Sequence, residues 1–461
     1  MIGTNEYGLW TLAGTIVGLA SLAEAGLSIS TTVFVSRDLS NNDEDALSQT
    51  LTFIFGAILI LATCTSLIMW LGATQIVKMF TELTVEQRHT VSSAIQIGSL
   101  VVWAQLQQKV LNSLLQAFER YTIISIINTT QVMFVNLGLL VVVKLGGTTI
   151  EMMRWCAVVN IITLIALIGS NIFLLRGRRL RPSLTTNNAK MIGRYSFASW
   201  ISMLGGNLYS YGDRLIIGSL MHAEALGIYG MITTIANQIP LLASLITQPL
   251  LPIISAIWMR KEQDKAILIK HLQQAVNINA VVALGMGAIL FTFSLPIMQF
   301  ILSKQLANEY YKIFQIAIVI YALYSLNSVG YYILFAIGAV MENLWINLLG
   351  AGLSLLLIFI GSYFWGLSGA VFGNIGYLLS LLFVVVGFKQ MKLSALLWCQ
   401  WVTFPFVWFL VAIIVSYLTE KTLINLFFFL IEALILSIWF FRNQSNILQI
   451  LVIRKVVDAK I

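Results

Sequence analysis

Between Asn343 and Phe388 the chain runs for 46 residues without one charged side chain. A hydrocarbon core is crossed by about 20 apolar residues, so the stretch is too long for one helix and fits two. Trp365-Gly366-Leu367-Ser368-Gly369 is the natural place for it to turn. The rest of the chain has the same character. Of 461 residues, 59% are apolar and only 10% charged, against about half and about a quarter in soluble domains. So few charges exclude a soluble fold, and so many apolar residues exclude a disordered one. The apolar runs are continuous and do not alternate, which excludes a membrane β-barrel. What is left is an all-α polytopic membrane protein.

Cutting at charges, Gly/Pro/Asn clusters and polar loops gives 13 candidate helices. They are 9–35, 50–73, 92–117, 121–145, 151–175, 193–220, 227–256, 272–301, 311–338, 344–365, 367–389, 397–418 and 423–441. Alternate loops hold 19 and 7 of the 27 Lys and Arg residues, with Arg214 left inside a span. The richer set includes the central 176–194 linker and the C-terminal tail, which the positive-inside rule places in the cytoplasm. The net charge of +8 is thereby accounted for, and nucleic acid is not expected as a partner. Cys64, Cys156 and Cys399 sit in apolar runs and read as buried thiols.

An odd number of spans with the C-terminus inside leaves Met1 outside, with no export signal before Gly8. A short repeat bears on this. Glu6-Tyr7-Gly8-Leu9-Trp10 opens the first span and Ala225-Leu226-Gly227-Ile228-Tyr229 opens the seventh. Six spans separate them, so the copies point the same way, as in a parallel repeat about an axis along the membrane normal. The second copy is preceded by a span and the first is not; the expectation is a further helix before residue 1. The expected divisions of the chain are an N-terminal lobe over 1–180, a C-terminal lobe over 181–392, and an additional helix pair with a cytoplasmic tail over 393–461.

Asn5-Glu6-Tyr7-Gly8-Leu9-Trp10 with Leu22-Ala23-Glu24-Ala25-Gly26-Leu27 resembles the start of the second helix of Wzx-type polysaccharide repeat-unit flippases. Gly212-Asp213-Arg214-Leu215-Ile216-Ile217-Gly218, Gly227-Ile228-Tyr229 and Leu250-Leu251-Pro252-Ile253-Ile254-Ser255 continue the likeness. Glu24 stands where that family usually has Asp. The resemblance implies two six-helix lobes around a central cavity, with this chain carrying helices two to fourteen. It further implies translocation of an undecaprenyl-diphosphate-linked glycan to the outer leaflet of a bacterial inner membrane. Membrane lipids, a polysaccharide polymerase and a chain-length regulator would be partners, for O-antigen or capsule. Two other readings stay open: an ion-coupled multidrug/toxin extruder, and a membrane-embedded glycosyl-polymerase, although the outer loops 74–91 and 302–310 are short for the latter.

Charges within spans are functional candidates by default. Helical spacing puts Ser21, Glu24, Ser28 and Thr31 on one face of the first span, and Gln105, Lys109, Asn112 and Gln116 on one face of the third. Glu24 and Lys109 differ in depth by about one helical turn or less. They pair if their helices are neighbours; otherwise Lys109 reaches the headgroups. In the sixth span Asp213 shares a face with Ser199, Ser202, Gly206 and Ser210, and Asn207 with Arg214. The candidate cavity residues are therefore Glu24, Lys109, Asp213, Arg214, Asn207, Gln105 and Asn112. Glu432 is a lone carboxylate in the last span with no assigned role. His89, His222 and His271 have no metal-ligand spacing, and no Lys follows a Gly as in a phosphate-binding loop. No cofactor is expected. Active transport would draw on a H+ or Na+ gradient, or on removal of product.

Overall fold

The computed structural model describes residues 3–176, 178, 181–248, 254, 265–418 and 422–443, without the side chains of 198, 201–210, 265–267, 340, 422–429, 432, 441 and 443. The described residues form helices joined by short turns, with no strand among them. Among the described residues, nine helical stretches are long and apolar enough to cross a membrane. One of these, Met341–Gln390, folds back on itself, and Val85–Ala117, Thr186–Leu220 and Thr422–Asn443 are long helices outside the nine. Each predicted span is helical where it is described, though several are split between helices, the first, seventh, eighth and ninth among them. Contacts divide the chain into two compact units, Met1–Gly230 and Met231–Ile461.

The first unit contains α1 (Thr4–Ala20), α2 (Leu27–Ser40), α3 (Glu44–Lys78), α4 (Val85–Ala117), α5 (Tyr121–Lys144), α6 (Thr149–Leu175), α7 (Thr186–Leu220) and the start of α8 (Ala223–Ala236). α4 is the centre, packed by α3, α6, α1, α2 and α5. Its buried face contributes Leu114 and Ala117 to one apolar cluster with Val35, Leu47 and Leu51. A second cluster gathers Ala104, Leu111 and Leu115 with Leu164 and Leu167 of α6. α5 buries no residue; Ile126, Met133, Phe134, Leu137 and Leu140 are exposed, as befits a helix facing lipid.

Lipid tails are as apolar as leucine, so close packing rather than burial from water must hold such helices together. The two copies of the repeat show how. A Cβ on Gly8 would lie 1.7 Å from the Ala223 carbonyl oxygen, and one on Gly227 would lie 2.2 Å from that of Thr4. The motif glycines meet each other, backbone to backbone. Around them Thr4 donates to Glu224 (3.0 Å), Gln87 to Asn5 (2.9 Å), and the Thr149 amide to the Glu6 carboxylate (2.6 Å). α7 packs on α1, α2 and α3. The contact boundary therefore falls after α7, whereas the sequence repeat divides the chain before it.

The second unit contains α9 (Gln238–Thr247), α10 (Lys265–Thr292), α11 (Ser294–Ile301), α12 (Lys304–Ser325), α13 (Ser328–Ala336), α14 (Val340–Gly373), α15 (Leu382–Gln390), α16 (Ala395–Leu418) and α17 (Thr422–Asn443). α10 packs against α16, α12 and α9. The charge-free segment reverses at Gly366 (φ 57°, ψ −141°), inside the turn its sequence predicts. Its two arms close on glycine: Gly361 against Gly369, Gly373 against Leu357 and Ile358, and Gly376 against Ser354. Any Cβ there would come within 2.6 Å of opposing backbone.

All three cysteines are free, and Cys156 is buried as expected. Cys64 and Cys399 are exposed instead, because an apolar run in a membrane protein has a lipid-facing side as well as a packed one. Leu250–Ile253 and Ser255 of the quoted motifs, and the tail beyond Asn443, lie outside the described residues.

Candidate transport site

The first predicted span is not one helix. After Ala20 the chain tightens into a 3-10 turn over Ser21–Glu24, and Ala25 (φ 53°) and Gly26 (φ 74°) then take the left-handed conformation before α2 begins. Glycine is required at 26 for a second reason. A Cβ there would lie 2.2 Å from the Ser196 carbonyl oxygen and 3.0 Å from the Trp200 amide nitrogen, so the backbone of α7 passes where a side chain would be.

Breaking a helix inside lipid strands carbonyl groups, each at a cost of several kcal/mol unless a donor is found. Neighbouring helices supply the donors. The Lys109 ammonium on α4 donates to the Ser21 carbonyl (2.8 Å), and the Trp200 indole on α7 donates to that of Leu22 (2.7 Å). A cation at the C-terminal end of α1 is also where the helix dipole favours one.

The same ammonium lies 3.7 Å from Oε1 of Glu24. Glu24 is 3% exposed, and its Oε2 is buried with no hydrogen-bond partner. Its charge rests on Lys109 and on the N-terminal end of α2, three residues ahead. Lys109 thus turns inward and does not reach for the headgroups, although its side chain keeps 36% of its surface. The site is an ion pair at a helix break, with one unused carboxylate oxygen and a cation that is only partly covered.

The other candidates do not join this pair. Asn112 donates to Asn128 on α5 (3.4 Å), and the half-buried Gln105 side chain makes no hydrogen bond among the described residues. The Asp213 carboxylate is buried and accepts from the Tyr229 hydroxyl (2.9 Å) and the Arg214 amide (2.7 Å). Arg214 is half-buried. Asn207 and Glu432 have side chains outside the described residues.

A family model described as polysaccharide biosynthesis protein matches residues 1–258, more than half of the chain and all of the first unit. The chain belongs to that family. By sequence alone this polysaccharide biosynthesis protein matches no curated protein. Its fold is similar to that of the lipid II flippase MurJ in an inward closed conformation, with TM-score 0.77 and 13% identity, covering 96% of this chain and 94% of that one. It is similar also to an inward-facing multidrug resistance MATE family transporter of the MOP superfamily: TM-score 0.69, 14% identity, 85% of this chain and 94% of that one. At such identities the likeness is one of fold.

In this polysaccharide biosynthesis protein the Tyr229–Asp213 bond joins two of the quoted motifs, Gly212-Asp213-Arg214 and Gly227-Ile228-Tyr229. Three features escape the sequence reading. Gln108, next to Lys109 but facing away from it, donates to the Asn160 carbonyl (2.7 Å) and accepts from Gln131 (3.2 Å), tying α4, α6 and α5. Trp200 caps the helix break. Asp38 is buried at the end of α2, where it accepts from Arg37 (2.7 Å) and Thr50 (2.6 Å). The polar run Gln105-Leu106-Gln107-Gln108 signals the first of these, since so many amides in one span need partners; nothing local signals the other two.

Proposed function

We propose that the chain is a flippase for undecaprenyl-diphosphate-linked oligosaccharide repeat units, moving them from the cytoplasmic to the outer leaflet of a bacterial inner membrane during O-antigen or capsule synthesis. It works by alternating access, with the C-terminus in the cytoplasm. The observation that carries this reading is the Glu24–Lys109 pair at the helix break, in a chain of the polysaccharide biosynthesis family. Without cargo the pair is self-neutralised. An arriving diphosphate draws Lys109 away, and Glu24, then buried without a counter-ion, takes up H+ or Na+, since an uncompensated buried carboxylate is the costly state. Anion binding and cation uptake are thereby coupled while the polyprenyl tail stays in lipid. A polymerase and a chain-length regulator would receive the product.

The test is accumulation of lipid-linked repeat units on the cytoplasmic leaflet of a flippase-null strain, normalised to protein in the membrane. Lys109→Ala and Glu24→Gln should each stop export, and Lys109→Arg should keep part of it, because the charge survives and its geometry does not. Wild-type export by both Lys109→Ala and Glu24→Gln would refute the site. The likeness to a multidrug transporter favours a second reading, drug extrusion. It predicts dye efflux by the purified chain in vesicles, with no effect of lipid-linked glycan.

A further inference from the structure

α2 and α7 lie side by side from the break at Gly26 to the start of α7. The seam is tight beside Gly26, where the Ser30 and Ser196 hydroxyls are 2.6 Å apart. Past them it opens into a cleft of about 570 Å³ lined by Phe34, Lys190, Met191, Arg194 and Tyr195. Phe34 is 6% exposed and forms the floor, meeting the Tyr195 ring edge to face with centroids 5.5 Å apart.

Lys190 and Arg194 are exposed, one turn apart on α7, and neither has a carboxylate partner among the described residues. Like charges at this spacing repel, so the pair is a cost to the helix until an anion arrives. The third cation at the rim, Arg37, lies over the Phe34 ring and is neutralised by Asp38. Asp38 is also held by Thr50 and is not free to quench α7. On the same two helices, Ile29 and Val33 of α2 and Phe197 of α7 are exposed apolar side chains. The start of α7 is fixed in place: Ser48 donates to the Arg181 carbonyl, the Ser183 amide to Thr52, and Thr185 to Gln49.

Two cations over an aromatic floor, on helices that also carry exposed apolar side chains, suit a head with two adjacent negative groups on an apolar chain. We propose that this cleft binds the diphosphate head of an isoprenoid lipid, in the leaflet beside the basic linker, with the first isoprene units over Phe34 and Tyr195. The choice of lipid rests on the flippase reading. The site itself is distinct from the Glu24–Lys109 pair, since Glu24 lies before the break and Phe34 lies seven residues into α2 from Leu27, roughly 10 Å along that helix. The cleft captures the head before it moves inward.

The test uses the full chain in phosphatidylcholine nanodiscs with a diazirine-tagged farnesyl diphosphate. Labelling should map to the peptides holding Phe34 and Tyr195, and should fall about tenfold in Lys190→Gln/Arg194→Gln. The swap Lys190→Arg/Arg194→Lys should retain it, which separates loss of charge from loss of fold. Untagged farnesyl diphosphate should compete, and phosphatidylglycerol and inorganic pyrophosphate at the same concentration should not. Unchanged labelling in the Gln double variant overturns the proposal. So does competition by phosphatidylglycerol, the mark of a general anionic-lipid contact, or by pyrophosphate, the mark of a free-anion site. No labelling of the cleft while Lys109→Ala still stops export sinks the cleft alone. Labelling of the cleft with normal export by the Lys109 and Glu24 variants sinks the flippase site alone.

Discussion

Exchanging Lys109 for methionine keeps the length of the side chain and removes its charge, so it isolates what the ammonium does at the break. Two losses follow. The Ser21 carbonyl loses its donor at 2.8 Å, and Glu24 loses its counter-ion at 3.7 Å. At that separation Coulomb's law gives about 1 kcal/mol in water and about 4.5 kcal/mol at an effective dielectric of 20. The Lys109 side chain keeps 36% of its surface, so solvent screening draws the value down to about 1–3 kcal/mol. With the carbonyl's loss added, Lys109→Met should cost about 2–4 kcal/mol. Glu24→Gln should cost about 1–2 kcal/mol, since the amide still fits but the pair is gone. In the double variant no charge is stranded, and its cost should fall short of the sum by about 1–3 kcal/mol. The assay is reversible denaturant unfolding of the four proteins in one detergent. Costs that add to within about 0.5 kcal/mol would show that the two groups do not interact, and the account of the break would fail.

Other expectations are independent of that pair. Gly8→Ala should destabilise by about 1–3 kcal/mol or more, because the new methyl would lie 1.7 Å from the Ala223 carbonyl oxygen. Gly14→Ala, with nothing within 4 Å, should be neutral or stabilising by about 0.5–1 kcal/mol; melting temperatures of the two variants compare them directly. Tyr229→Phe should cost about 1–2 kcal/mol by removing the donor to buried Asp213, and the loss should shrink when Asp213→Asn is added. On a background lacking Cys64, Cys156 and Cys399, Glu86→Cys should react with an impermeant thiol reagent in intact cells and Asn187→Cys only after permeabilisation. Labelling of Asn187→Cys in intact cells would invert the topology.

The number and order of the helices were legible because each span is a long apolar run with polar or glycine punctuation. The reversal at Gly366 was legible for a related reason, since Trp365-Gly366-Leu367-Ser368-Gly369 falls near the middle of a charge-free stretch too long for one span. The break at Glu24–Gly26 was not. Leu22-Ala23-Glu24-Ala25 continues a helical pattern, and a single glycine inside a helix is common. What breaks it comes from elsewhere in the fold: the Ser196 carbonyl, which occupies the place of a side chain at 26, and donors 88 and 178 residues away in the chain. The spacing did place Glu24 and Lys109 at matching depth, and whether they meet depended on α4 lying at the centre. The same packing turned Gln108 toward α6 and left the Gln105 side chain without a partner among the described residues, a distinction that an amide-rich helix cannot reveal before its neighbours are known.

The hairpin that turns at Gly366 bears on how the chain enters its membrane. A translocon releases a segment sideways into lipid when its partitioning is favourable, and carrying a loop across is hard chiefly when the loop bears charge. Here neither arm nor turn has any, from Asn343 to Phe388, so no ionised group crosses whichever side receives the turn. With Gly361 and Gly369 already in register, the two arms can zip together within the translocon and leave it as one unit. Their orientation would then be inherited from the flanking residues Glu342 and Lys389. A charged residue placed at the turn would therefore test biogenesis rather than transport: it would delay insertion of both arms at once.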